Sequence, residues 1–265
     1  MTEYVCIGVP YFLGQRLDER TEVDAIRASG IAGELGAEWL EIAPDVAASP
    51  DPVTAVNRSL AQAIAARRDR FPIIFAGDCT SAIGAAKGLE SGEGLGVVWL
   101  DAHGDFNTPE TTPSGFLGGM PLAMLVGRGE QYLLEGVGLA PLSEADIILT
   151  DARDLDPGEA VALRGSAITH LPDLRSLLTA PLPAMPLYVH LDVDVVNPDQ
   201  MPAMSYTAPG GPSLEDTAAV VRRVAREGRV AGLLVGLWND DLATDDCPLR
   251  GTLALVRAFV EGRRG

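Results

Sequence analysis

An α/β fold, with a parallel sheet sandwiched between helices, is what this 265-residue sequence predicts. Two observations carry that expectation. Short apolar runs alternate with longer amphipathic stretches, the pattern of repeated β-α-β units. The short runs are also apolar throughout, as in Val97-Val98-Trp99-Leu100, so their strands are covered on both faces. The predicted strands are Tyr4 to Val9, Pro72 to Ala76, Gly96 to Leu100, Asp146 to Thr150, Leu187 to Leu191 and Ala231 to Leu237. Helical periodicity covers Val53 to Arg68, Leu214 to Arg226 and Pro248 to Val260. No repeat or low-complexity linker interrupts the alternation. Residues 1–265 therefore read as one domain, with site-forming loops rather than linkers.

Bulk composition excludes several functions. Hydrophobic residues make up 47% of the chain and aromatics only 5%, so the core is built from Ala, Val, Leu and Ile. No apolar run reaches the roughly 20 residues that span a bilayer. Met1-Thr2-Glu3-Tyr4 is not the basic start of a leader, and a cytoplasmic location is expected. Cys6, Cys79 and Cys247 are too few and too odd in number for a disulfide framework. The net charge of −17 repels phosphate backbones and anionic membranes, so neither nucleic acid nor membrane is an expected partner. It either draws a cationic small molecule or simply keeps the protein soluble.

The strongest chemical signal is Val98-Trp99-Leu100-Asp101-Ala102-His103-Gly104-Asp105-Phe106-Asn107. A buried strand ends, and Asp101, His103 and Asp105 follow at every second position. Extended backbone would point all three the same way. Val189-His190-Leu191-Asp192-Val193-Asp194 repeats the design with two carboxylates. Four carboxylates and one imidazole at strand ends repel one another unless cations join them. Oxygen ligands with few nitrogens favour Mn²⁺, Mg²⁺ or Fe²⁺ over a thiolate-type zinc site. Two such ions about 3.5–4 Å apart can activate a shared water. Loops such as Thr108 to Gly119 and Ala208 to Pro212 follow strand ends, where ligands bind in open α/β sheets.

At these motifs the chain resembles the arginase-like ureohydrolases. Asp101 to Asn107 (DAHGDFN) is similar to the family's DAHxDxN, and Leu191 to Pro198 (LDVDVVNP) to its DVDxxDP. Ala76-Gly77-Asp78-Cys79-Thr80 resembles GGDHS, and Arg153 to Glu159 (RDLDPGE) resembles RDVDPGE. The resemblance implies a three-layer α/β/α fold with a mostly parallel sheet of about eight strands. It implies a pair of Mn²⁺ ions and hydrolysis of a guanidino C–N bond. Asp101 and Asp192 would bridge the ions, His103 and Asp194 would complete one, and Asp105 the other. Asp105 would also orient the nucleophile and act in catalysis. Asn107, Thr112 and Ser114 would hold a substrate α-carboxylate. Asp156, and less directly Glu159, would face its α-ammonium. The resemblance also implies a homo-oligomer, trimer or hexamer.

Three positions depart from the family. Its GGDHS histidine is Cys79, either a weaker ligand or a buried thiol beside a half-filled site. Its proton-shuttling histidine falls at Gly118. Its guanidinium-gripping carboxylate falls at Leu237, with Asp240 and Asp241 close behind. His190 reads as a core or supporting residue, and His170 as a surface or helix-start residue. Asp105 to Met120, together with Cys79, resembles the branch that hydrolyses Nω-hydroxy-L-arginine to ornithine and hydroxyurea. That small cationic guanidino amino acid is the leading substrate. The alternatives are agmatine, guanidinobutyrate or formiminoglutamate chemistry, or a catalytically weak binding protein on the same fold.

Overall fold

The computed structural model describes residues 3–17, 21–46, 49 and 51–265. Met1 and Thr2, on which the expectation about a leader rests, lie outside them. The chain runs β1 (Tyr4–Val9), β2 (Tyr11–Phe12), β3 (Gln15–Arg16), α1 (Glu22–Ala28), α2 (Ile31–Leu35), β4 (Glu38–Glu41), α3 (Pro52–Ala65), β5 (Phe71–Ala76), α4 (Ser81–Leu89) and β6 (Gly96–His103). It continues through α5 (Pro121–Leu125), α6 (Tyr132–Val137), β7 (Ile147–Asp154), α7 (Pro157–Arg164), β8 (Thr169–Leu171), β9 (Leu187–Asp192), α8 (Leu214–Glu227), β10 (Val230–Gly236) and α9 (Cys247–Arg264).

Eight strands form one parallel sheet in the order β4-β1-β5-β10-β9-β6-β7-β8. Strands β2 and β3 form a small hairpin beside it. The eight strands and three layers match the sequence expectation. Alternation along each strand divides the core in two. Tyr4, Cys6, Ile73 and Phe75 face one layer, packed with α8 and α9. Val5, Ile7, Ile74 and Trp99 face the other, packed with α3, α4, α5 and α6. All six predicted strands are present, and β1 has the expected bounds. The edge strands β4 and β8 went unpredicted: they are four and three residues long and only partly buried. His170 belongs to β8, where its Nε2 lies 3.1 Å from the Asp151 carbonyl oxygen; it is not a helix-start residue.

The four central strands β5, β10, β9 and β6 end side by side, and every motif singled out above follows one of those ends or lies beside it. The platform beneath is close-packed. Helix α3 starts at Asp51, whose carboxylate accepts from the Val53 and Thr54 amides, with Pro52 in the first turn. Asn57 ties α3 to α4: its side-chain oxygen accepts the Gly84 amide at 2.6 Å, and its amide nitrogen donates to the Val53 carbonyl. A Cβ at Gly84 would lie 2.5 Å from the Asn57 carbonyl oxygen, so only glycine allows this approach.

Asn57 is fully buried. Asn57→Ala leaves the Gly84 amide buried and unpaired, and should cost about 1–3 kcal/mol of unfolding free energy. Urea titration followed by circular dichroism measures it, and an unchanged midpoint would contradict the role.

Candidate active site

Strand β6 delivers the first cluster. Asp101 is 1% exposed and fully engaged: Trp99 Nε1 donates to its Oδ2 at 3.1 Å, and the His103 amide to its Oδ1 at 2.7 Å. The backbone is not extended through Asp105, as the sequence suggested. Strand β6 ends at His103, and Asp105 adopts φ +47°, a left-handed conformation uncommon for a residue with a side chain. Asp105 thus enters the cluster by a kink rather than by strand alternation. Its carbonyl accepts the Leu122 and Ala123 amides at the start of α5, which holds the kink. Glu159 of α7 supports the same loop. Its two oxygens accept the Phe106 amide at 2.8 Å and the Asp156 amide at 3.1 Å.

Strand β9 delivers the second cluster. Asp192 is its last residue, and Asp194 sits in a 3₁₀ turn over Val193–Val195. Asp192 caps that turn by accepting the Asp194 amide at 3.0 Å. Asp194 accepts the Ala102 amide at 3.1 Å and pairs with His103 Nδ1 at 2.9 Å. Arg153, at the end of β7, pins the turn from behind. It pairs with Asp151 at 2.6 Å and donates to the carbonyls of Asp194, Val195 and Ala208 at 2.9–3.1 Å. Strand β5 is followed by Cys79, whose thiol donates to Asp192 Oδ2 at 3.2 Å.

Two groups of ligand atoms result, each with all members within 4.8 Å of one another. Asp101, His103 and Asp194 form one; Cys79, Asp101, Asp105 and His190 form the other. Asp101 is shared by both, and Asp192 stands beside them on the Cys79 thiol. His190 was read from sequence as a core or supporting residue, and the structure places it within ligand distance. Its only sequence signal was sharing a strand face with Asp192.

Burial governs the charges here. It raises Asp105 well above the carboxylate range, helped by the charge on Asp101. Burial, then Asp194, pushes Asp192 up to about 7; burial, then Asp101, pushes Asp194 up to about 6. Burial opposes a charge on His103, but its bonds to Asp101 and Asp194 prevail and push it up to about 12. Burial also lifts the Cys79 thiol, and the carboxylates of Asp105 and Asp192 lift it further. The cluster is a concentration of buried acidic groups that nearby positive charge would relieve.

Around it opens a pocket of about 890 Å³. Asn107, Thr112, Ser114, Asp156 and Glu159 all line it. Asn107 Nδ2 donates to Asp156 at 2.9 Å, and the hydroxyls of Thr112 and Ser114 lie 3.3 Å apart. No sequence signal marks the aromatic rim, where Phe116 stacks on Phe12 and tilts against Tyr206, with centroids 6.2 and 4.9 Å away. Phe116 explains Gly118: its ring fills the space a side chain at 118 would need. Leu237 lines the pocket, with its amide bonded to the Ala76 carbonyl. Asp240 instead accepts from Trp238 Nε1, and Asp241 stands exposed at the pocket edge.

Fold and site together define an α/β protein with an acidic pocket at the carboxyl ends of its central strands, where clustered carboxylates, imidazoles and a thiol could hold metal ions. The chain belongs to the arginase family, whose sequence profile matches residues 3–235. It is 33% identical over 180 residues to the arginase of Bacillus subtilis, 62% of this chain and 61% of that one. It is 37% identical over 146 residues to the N(omega)-hydroxy-L-arginine amidinohydrolase of Streptomyces lavendulae, 54% of this chain and 51% of that one. These alignments thus span less than two thirds of the relatives' own lengths. The fold superposes on a crystal structure of Bacillus subtilis arginase with TM-score 0.87 at 26% identity, covering 98% of each chain. No helix among the described residues is long and apolar enough to cross a membrane.

Arg153 holds the Asp194 turn while touching neither ligand group through its own charge. Arg153→Ala leaves Asp151 unpaired and frees that turn, so stability should fall by about 3–5 kcal/mol. Manganese retention after dialysis should fall with it. Thermal unfolding and metal analysis check both, and full retention would deny Arg153 its positioning role.

Proposed function

We propose that this protein hydrolyses a guanidino C–N bond in an arginine-like amino acid, and that Nω-hydroxy-L-arginine is its substrate. Ornithine and hydroxyurea are then the products. One observation carries the reading: a cation-seeking cluster and a loop suited to an amino-acid head group line the same pocket.

The residues fit a pair of divalent cations, and Mn²⁺ suits their oxygen-rich set. Asp105 Oδ2 is buried without a hydrogen-bond partner among the described residues, an arrangement a cation would resolve. Asp101, His103, Asp105, Asp192, Asp194 and Cys79 would hold the pair. When bound, such ions supply Lewis-acid polarisation and a water-derived nucleophile near neutral pH. The chain's own residues do the rest. In this reading Asp105 orients the nucleophile and takes up and returns its proton. Asn107, Thr112 and Ser114 present neutral donors to the α-carboxylate. Asp156 faces the α-ammonium, with Glu159 fixing the Asp156 backbone. Position 118 offers no acid, and Phe116 occupies its space. Hydroxylation lowers the basicity of the guanidino group and leaves its carbon more open to attack. The leaving amine is the ornithine side-chain nitrogen, as for L-arginine, and takes its proton from Asp105 or water. The relative from Streptomyces lavendulae, named for that substrate, supports the choice. A cytoplasmic homo-oligomer, trimer or hexamer, completes the reading.

The test uses manganese-loaded full-length protein with L-arginine, Nω-hydroxy-L-arginine, agmatine, guanidinobutyrate and formiminoglutamate. Mass spectrometry detects urea, hydroxyurea and formamide. Hydroxyurea should form from Nω-hydroxy-L-arginine at least roughly tenfold faster than urea from L-arginine. Asp156→Ala should lower kcat/KM for that substrate on the order of 10²-fold. Turnover of agmatine undisturbed by Asp156→Ala would move the assignment to substrates lacking the amino-acid head. No product from any compound, with fewer than one tight ion per chain, would leave a binding protein.

A further inference from the structure

We propose that His190 is itself a ligand of the deeper cation position, with Cys79, Asp101 and Asp105, and supplies the imidazole that position 79 lacks. This rests on the metal reading above. His190 lies inside β9, between β10 and β6, and is fully buried. Its Nδ1 is 2.8 Å from the Tyr188 hydroxyl, and its ring stacks on Trp99 with centroids 3.6 Å apart and planes 7° off parallel. Orientation is therefore fixed. Its other nitrogen, Nε2, is buried and has no hydrogen-bond partner among the described residues.

A histidine that only fills a core has both nitrogens satisfied, because an orphaned buried one costs about 1–3 kcal/mol. Here the orphan falls in the one cluster that also contains the orphaned Asp105 Oδ2. His190 and Asp105, each with one partnerless atom among the described residues, and the Cys79 thiol offer ligand atoms within 4.8 Å of one another, a donor set that suits one cation. Tyr188 plays the part that outer partners play for ligating histidines: it holds Nδ1 so that Nε2 faces the ion.

The experiment reads tightly held manganese per chain after dialysis, with electron paramagnetic resonance to separate coupled from isolated ions. Wild type should keep two coupled ions. His190→Ala should keep one, with an isolated-ion spectrum. Tyr188→Phe keeps the ring and should weaken retention of the deeper ion by about 10–100-fold; it also serves if His190→Ala fails to fold. Two coupled ions in both variants would overturn the assignment and leave the metal reading intact. No ion in wild type would end both.

A separate observation concerns the substrate end, and rests on the guanidino reading. We infer that Glu22 supplies the carboxylate for the guanidinium, standing in for the one missing at Leu237. Glu22 is 6% exposed, lines the pocket, and has no cationic partner among the described residues. Its Oε1 lies 3.2 Å from where a Cβ at Gly77 would be. Gly77 follows Ala76, whose carbonyl holds the Leu237 amide, so Glu22 and Leu237 share one side of the pocket. Burial, reinforced by Asp240, Asp24 and Asp241, pushes Glu22 up to about 7; a guanidinium would restore its charge.

Calorimetry on manganese-loaded protein with L-arginine and L-norvaline tests this. Glu22→Gln should weaken L-arginine binding at least roughly tenfold, as loss of a charge-assisted bond does, and leave L-norvaline unchanged. Leu237→Glu in that background should recover part of the loss. Equal L-arginine binding by Glu22→Gln and wild type would overturn Glu22 alone. If wild type binds neither probe, the substrate reading falls too.

Discussion

The crowding of like charge at the ends of β6 and β9 is the constraint from which the rest of the structure follows. Asp101, Asp105, Asp192 and Asp194 converge where water is scarce, and each is held above the usual carboxylate range. Unpaired, such a group would unfold its surroundings or take up a proton. The fold therefore surrounds the cluster with donors: the indole of Trp99, the amides of Ala102, His103 and Asp194, and the Cys79 thiol. The donors come from β6 and from the turns that follow β9 and β5, so the cluster exists only when the central sheet is in register.

That dependence explains two residues that touch no metal position. Arg153 reaches across from β7 to the carbonyls of the Asp194 turn, and Glu159 reaches from α7 to the amides of the Asp105 loop. Each fixes the backbone of one acidic segment against a neighbouring element. Gly104 lets Glu159 come close, since a Cβ there would lie 2.5 Å from its carboxylate. Precision at the site is obtained by bracing loops onto a rigid sheet, the arrangement that keeps ligating side chains in place when charge would push them apart.

The central strands were legible because they are apolar on both faces and therefore unbroken in sequence. Edge strands β4 and β8 are short and half-buried, and leave no such run. The acidic clusters were legible as residue types but not as geometry. Alternate spacing suggested extended backbone, whereas Asp105 arrives through a positive φ and Asp194 through a 3₁₀ turn. Glu22 drew no reading from the sequence, and His190 only that of a core or supporting residue, because little local marks them. Glu22 lies in an ordinary helix start, and His190 in an ordinary strand, and only the three-dimensional packing leaves one without a cation and the other without a partner among the described residues. Side-chain orphans are a property of the fold, not of the string.

The departures at positions 79, 118 and 237 make physical sense as a set. Each loss is matched by a nearby residue that occupies or supplies what is missing. His190 lies beside Cys79, the Phe116 ring covers Gly118, and Glu22 stands on the Leu237 side of the pocket. A decaying site would lose ligands without such neighbours, and its buried carboxylates would turn outward or be replaced by apolar residues. Here the acidic cluster stays closed. On the proposed reading, proton delivery to the leaving ornithine amine passes from position 118 to Asp105, which already holds the proton taken from the nucleophile.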